Sequence, residues 1–208
     1  MGEDAGGRAE HWAATYESKA VDEVSWFQRD PAVSLRLLAA AGLGPGRSVV
    51  DVGGGASVLV ERVLDLGSTD VAVLDIAHAP LAESRSRLGA RAEQVTWLVQ
   101  DDVLTWLPPR RYHVWHDRAV FHFLTDASDR DRYRRALRDG LARRGHAVIG
   151  TFAEDGPSSC SGLPVAKYNP STLAEEFPAF DVVQAVREEH RTPWGSVQPF
   201  TWLLLQLA

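Results

Sequence analysis

The residues best suited to chemistry sit where short apolar runs end. Asp51-Val52-Gly53-Gly54-Gly55-Ala56-Ser57 follows Ser48-Val49-Val50 and precedes a helical stretch. Glycines at a strand-to-helix turn let the backbone take φ/ψ values closed to other residues and come close to a ligand. Asp75 ends the next apolar run, twenty residues after Gly55. A carboxylate at that place can accept hydrogen bonds from both hydroxyls of a ribose. The third run ends in Gln100-Asp101-Asp102, where a carboxylate can accept from the amino group of an adenine. Glycine loop, Asp75 and one of Asp101 and Asp102 together point to a nucleoside-bearing ligand. Strand register decides between the two neighbouring acids.

These ends need a frame that brings them to one edge. Helical segments are expected at roughly 8–20 and 31–42, the second opening at Pro31 and closing at Gly42. Strands then alternate with helices: 48–52, helix 56–66, 70–75, helix 80–90, 95–99, 112–116, helix 127–140, 146–151. Such alternation implies parallel pairing through right-handed crossovers, with helices on both faces of the sheet. The runs 182–190 and 200–207 are separated only by Thr192-Pro193-Trp194-Gly195 and neighbours, too short a gap for a helix, so they pair antiparallel. The expected fold class is α/β, a Rossmann-like, seven-stranded, mostly parallel sheet ending in an antiparallel hairpin. One domain is expected over 1–208, with residues 1–45 as a helical lid and 46–208 as the sheet.

A dinucleotide fold fits poorly. Val58 stands where the Rossmann fingerprint wants its third glycine. Tyr16, Tyr112, Tyr133 and Tyr168 are followed four residues on by Ala20, His116, Leu137 and Thr172, never by the lysine of a short-chain reductase. The strand ends instead resemble the class I S-adenosylmethionine-dependent methyltransferases over roughly residues 45–207. Asp51-x-Gly53-x-Gly55 matches that family's first motif, Asp75 the acid ending its second strand, and Asp101 or Asp102 the acid after its third. Ser57 departs from a frequent third glycine and could cap the following helix. The resemblance implies S-adenosylmethionine as cofactor. Gly53 and Gly55 would border its methionine and ribose, with Asp51 beneath them. Asp75 and Ile76 would hold the ribose, and Asp101 or Asp102 with Val103 the adenine.

In that family the fourth strand's end lies beside the reactive methyl, which makes His116 and Asp117 candidate catalytic residues and His116 a cofactor contact as well. Asp117 and Arg118 could equally form an ion pair that only stiffens the turn. His122, among apolar neighbours, reads as a packed histidine. Trp26 could face the sulfonium through cation–π attraction or simply dock the N-terminal segment; Trp12 and Tyr16 share a helix face. His190, between the last strands, could act as a base or belong to a satisfied turn. Cys160 in the loop after the fifth strand could contact a ligand or be incidental; that loop, over 152–170, and the hairpin connection from Glu188 to Gln198 are expected, with residues 1–45, to build the acceptor pocket. No His pair has metal-ligand spacing and no Cys/His cluster exists, so no metal is expected.

Composition narrows the partners. A net charge of −6 argues against a basic duplex-binding surface. One cysteine precludes an internal disulfide framework and suits a cytoplasmic setting. No apolar run approaches the ~20 residues of a membrane span, and Met1 to Glu10 shows no secretory signal. With no inserted cap domain, the acceptor expected is a small thiol, amine or hydroxyl. A protein lysine is the alternative, and a catalytically silent cofactor-binding module the reading from another class. Oligomeric state is not legible.

Overall fold

The computed structural model describes residues 5–18, 20–99 and 102–208. In chain order the elements are α1 (Ala5–Ser18), α2 (Ala32–Ala40), β1 (Ser48–Val52), α3 (Leu59–Asp65), β2 (Asp70–Asp75), α4 (His78–Leu88), β3 (Val95–Val99), β4 (Tyr112–Arg118), α5 (Ala127–Gly140), β5 (Leu141–Phe152), β6 (Ser159–Cys160), β7 (Leu163–Pro164), α6 (Pro170–Glu175), β8 (Phe180–Arg191) and β9 (Val197–Leu207). Seven strands form one sheet in the order β3-β2-β1-β4-β5-β9-β8, and β6 with β7 makes a separate small hairpin. β1 to β5 pair parallel, while β9 pairs antiparallel with both β5 and β8. The expected parallel sheet with an antiparallel finish is the observed one.

Period-two alternation divides the core between the two faces of the sheet. Leu203 and Leu205 of β9 join Val50, Trp115, Phe121, Tyr133 and Leu137 on one face. Trp202 and Leu204 join Leu37, Leu38, Val49 and Leu59 on the other. A sheet covered on both sides needs such unbroken apolar strands, and β1 is buried at every position.

Several boundaries differ from the sequence reading, each for a local reason. The helix after the glycines starts at Leu59, because the Ser57 hydroxyl accepts the Leu59 N–H at 3.1 Å and holds the preceding residues in a turn. β5 begins five residues before 146, through a polar stretch containing Arg144 at φ 58°. α6 was not expected; Asn169 and Thr172 cap it reciprocally, at 2.9 and 3.0 Å, with Pro170 in the first turn. Among the described residues no helix is long and apolar enough to cross a membrane.

Parallel strands all end at one edge, and this brings the chemistry together. Val52 lies beside Leu74 and Asp117, Arg118 beside Gly150, and Phe152 beside Phe200 at the start of β9. The glycine loop is pinned there, since Leu74 O accepts Gly53 N–H at 2.8 Å and Gly54 N–H at 3.2 Å. Gly53 has φ 66°, and a Cβ on it would lie 2.1 Å from Val120 Cγ2. Strain and overlap act together, so Gly53→Ala should lower unfolding stability by about 2–4 kcal/mol, measured by urea denaturation of the ligand-free protein.

Candidate active site

A cavity of about 130 Å³ opens over this edge. At one end it is lined by Val52 and Gly53 from the first loop, Asp75 and Ile76 from the second, and Asp102 and Val103 after the third strand. Most sequence-predicted cofactor contacts therefore converge. Asp101 lies outside the described residues, and Asp102 is the acid seen at the cavity.

Asp75 is buried, and its Oδ1 accepts the Ala77 N–H at 2.8 Å. Burial raises its pKa to about 7 against the partial relief of backbone donors from Ala77 and Gly55. Burial outweighs these two donors at Asp75. Asp102 Oδ1 accepts the Leu104 N–H at 2.9 Å, and its Oδ2 accepts Arg8 Nη2 at 2.6 Å. Gly55 stands next to Asp75: a Cβ on Gly55 would lie 3.3 Å from Asp75 Oδ2 and 2.9 Å from the Tyr16 hydroxyl.

Arg8, Trp12 and Tyr16 are spaced four apart on α1, on one helix face, and all three line the cavity as its roof. The Tyr16 phenol is shifted upward by burial and by Asp75, against a hydrogen bond from Trp26. Trp26 itself packs edge-on to Trp12 and Tyr16, with ring centroids 6.0 and 6.1 Å away. Three bonds fix its segment: Trp26 O accepts Arg118 Nη1 at 2.8 Å, Ser25 O accepts His190 Nε2 at 2.6 Å, and Gln28 Nε2 donates to Glu188 at 2.7 Å. Trp26 is therefore both docked and presented to the cavity.

Two of the residues expected to be catalytic are turned away from it, and a third is tied down. His116 Nδ1 lies 2.7 Å from Asp51 Oδ1 and Nε2 lies 3.0 Å from Ser34 Oγ. An ionised carboxylate can only accept, so Nδ1 donates to Asp51, and Nε2 is engaged by the Ser34 hydroxyl. Buried with both nitrogens engaged, His116 braces Asp51 behind the glycine loop, beside a smaller cavity of about 60 Å³. Asp117 is wholly buried on the opposite face of β4. Its carboxylate accepts the Val120 N–H at 2.8 Å, the Phe121 N–H at 3.1 Å and the Tyr133 hydroxyl at 2.6 Å. Burial still raises its pKa to about 6. The alternative of an ion pair with Arg118 is not seen among the described residues; Asp117 stiffens the turn through backbone and phenol donors instead. His190 is buried, and burial and Arg118 lower its pKa while Ser25 holds Nε2. The main cavity does not include it. His122 is packed as expected, with a pKa lowered to about 3 by burial and by Arg118, so it stays neutral.

Arg118, Phe123, Phe152, Cys160, Gln198 and Phe200 line the other end of the cavity. Phe152 and Cys160 fall within 152–170 and Gln198 within the hairpin connection, the segments expected to shape an acceptor pocket, while Arg118, Phe123 and Phe200 carry no such expectation. Ala119, also in the wall, holds φ 69°, a left-handed conformation costly for alanine, with its N–H on Gly150 O at 2.8 Å. No group of three or more His, Cys, Asp or Glu side chains among the described residues could hold a metal ion.

No family model matches the chain, and no curated protein matches it in sequence. Solved structures match closely in shape. A methyltransferase of Burkholderia thailandensis, 1,6-didemethyltoxoflavin-N1-methyltransferase bound to 1,6-didemethyltoxoflavin and S-adenosylhomocysteine, superposes at TM-score 0.75 with 18% identity, covering 100% of this chain and 92% of that one. The chain has the fold of the S-adenosylmethionine-dependent methyltransferases. An S-adenosylmethionine-dependent methyltransferase of Anabaena variabilis gives TM-score 0.74 at 15% identity over 97% and 95% of the two chains. The glycopeptide N-methyltransferase MtfA complexed with sinefungin gives 0.67 at 13% identity over 89% and 96%.

Two outcomes are expected from these environments. Asp75 and Asp117 have folded pKa values above their usual 3.8. The stability they contribute is fully present below about pH 4 and is lost as pH rises through 6 to 7. Asp75→Asn should therefore make the ligand-free protein more stable than wild type at pH 8, by roughly 1–3 kcal/mol, and equalise the two at pH 4; thermal melts across that range read the difference. Tyr133→Phe removes the phenol that Asp117 accepts from and that Trp115 Nε1 donates to at 3.0 Å. It should cost about 1–3 kcal/mol in denaturant titration.

Proposed function

We propose that this protein is an S-adenosylmethionine-dependent methyltransferase acting on a small nucleophilic acceptor, a thiol, amine or hydroxyl. The observation that carries this reading is Asp75, a buried carboxylate at the end of β2 beside a close-approach glycine, which shares one cavity with Gly53, Ile76, Asp102 and Val103. Gly53 leaves the cavity wall without a side chain at the point of nearest approach. Asp102 and Val103 suit the adenine, Ile76 the ribose face, and Asp51, braced by His116, the loop beneath the methionine. These residues fit the cofactor, which when bound supplies an electrophilic methyl on a sulfonium. The similarity in fold to enzymes crystallised with S-adenosylhomocysteine and sinefungin supports the same cofactor.

The protein's own part is to position and to exclude water. In-line displacement gains from alignment of the nucleophile, and the walls from Trp12, Trp26 and Phe123 give a cationic sulfur aromatic faces to meet. α1 and the 20–31 segment act as the lid over a sheet-borne site. No base is assigned: His116 and His190 each have a ring nitrogen fixed to the fold. A roofed, aromatic cavity favours a small acceptor over a protein side chain, as does the small-molecule ligand named for the toxoflavin enzyme.

Calorimetry with S-adenosylhomocysteine tests the donor site. Wild type should bind, and Asp75→Asn should weaken binding tenfold or more. Below pH 7 binding should release a proton, because the diol favours the charged carboxylate, so affinity rises with pH and levels off above 7. A folded sample giving no heat with either cofactor form would overturn the assignment.

A further inference from the structure

Arg118, at the acceptor end, is a cation whose bonding is incomplete. Nη1 is fixed on Trp26 O at 2.8 Å. Nε and Nη2 are both shielded from solvent and have no hydrogen-bond partner. Those two N–H groups form one edge of the planar guanidinium, the edge that grips a carboxylate with two parallel bonds. The guanidinium lies over the Phe200 ring, 4.8 Å from its centroid. Its nearest acid, Glu188, gives one oxygen to Gln28 at 2.7 Å and the other to Trp202 Nε1 at 2.8 Å. No ion pair to Arg118 exists among the described residues. A buried cation with two orphan donors is costly unless a ligand completes it.

We infer that Arg118 is the specificity-determining anchor for an acidic acceptor, a planar or aromatic molecule carrying a carboxylate or comparable oxyanion. This rests on the methyltransferase reading. The elements around the guanidinium place the anion at the acceptor end. Phe200 and Gln198 come from β9, Cys160 from β6 and Trp26 from the lid, whereas the donor end is built by the loops after β1 to β3. Aromatic walls at this end suit a flat ring. Gln198 Oε1, shielded and also without a partner, offers such an acceptor a place for an N–H or O–H.

The test uses the full chain saturated with S-adenosylhomocysteine and titrated with benzoate or with benzamide, its neutral isostere, followed by ligand-observed NMR. Benzoate should bind at least tenfold more tightly than benzamide. Arg118→Met should abolish that preference and Arg118→Lys should keep part of it, and any loss of S-adenosylhomocysteine affinity through the freed Trp26 segment should be matched by an equal loss for 5′-methylthioadenosine. Equal binding of benzoate and benzamide to wild type would overturn the proposal, and needs no variant to fold. So would a tenfold loss of S-adenosylhomocysteine affinity in Arg118→Met with affinity for 5′-methylthioadenosine intact. That ligand has no carboxylate, and the result would assign the guanidinium to the donor's own acid group. Failure of wild type to bind S-adenosylhomocysteine would instead strike the donor-site reading.

Discussion

Charge held out of water is the constraint around which this protein is arranged. Parallel strands deliver their C-terminal residues to one edge, and that edge is covered by α1 and by the segment carrying Trp26. Asp51, Asp75, Asp102, Asp117 and Arg118 are consequently charged or chargeable groups in a place with little solvent. Each is treated differently. Asp51 receives His116, Asp102 receives Arg8, and Asp117 receives two backbone N–H groups and a phenol. Asp75 has backbone donors only, and Arg118 keeps two guanidinium nitrogens without a partner. Those two stand at opposite ends of one cavity, and they are where a ligand has most to offer.

The division of labour on β4 follows from the pleat. Successive side chains point to opposite faces, so His116 and Arg118 share one face and Asp117 takes the other. His116 lies deeper and meets α2 through Ser34. Arg118 lies at the rim and meets the lid. Asp117 meets α5 and ties the turn that carries Ala119 and Val120. A stretch of three polar residues thus becomes a brace, a turn anchor and a rim cation.

The sheet was legible because its signals are local: apolar runs, glycine turns and spacing. The end of the cavity lined by Gly53, Asp75 and Asp102 was legible for the same reason, since each follows or closes one of the first three strands. What escaped is what depends on convergence. Phe200 reads as an ordinary strand residue, and Phe152 and Gln198 only as members of segments near an acceptor, until β9 turns back beside β5 and sets its first residues at the same edge. His116 and Asp117 looked equivalent in sequence, and only the pleat shows that they face apart. Arg8 gave no signal, because nothing along the chain says that α1 folds over the third strand's end.

The position of α1 has a mechanical consequence. Arg8 holds Asp102 at one end of the cavity and Trp12 packs against Phe123, 5.1 Å between centroids, toward the other. Both ride on one helix, so the two ends of the cavity share a single covering element.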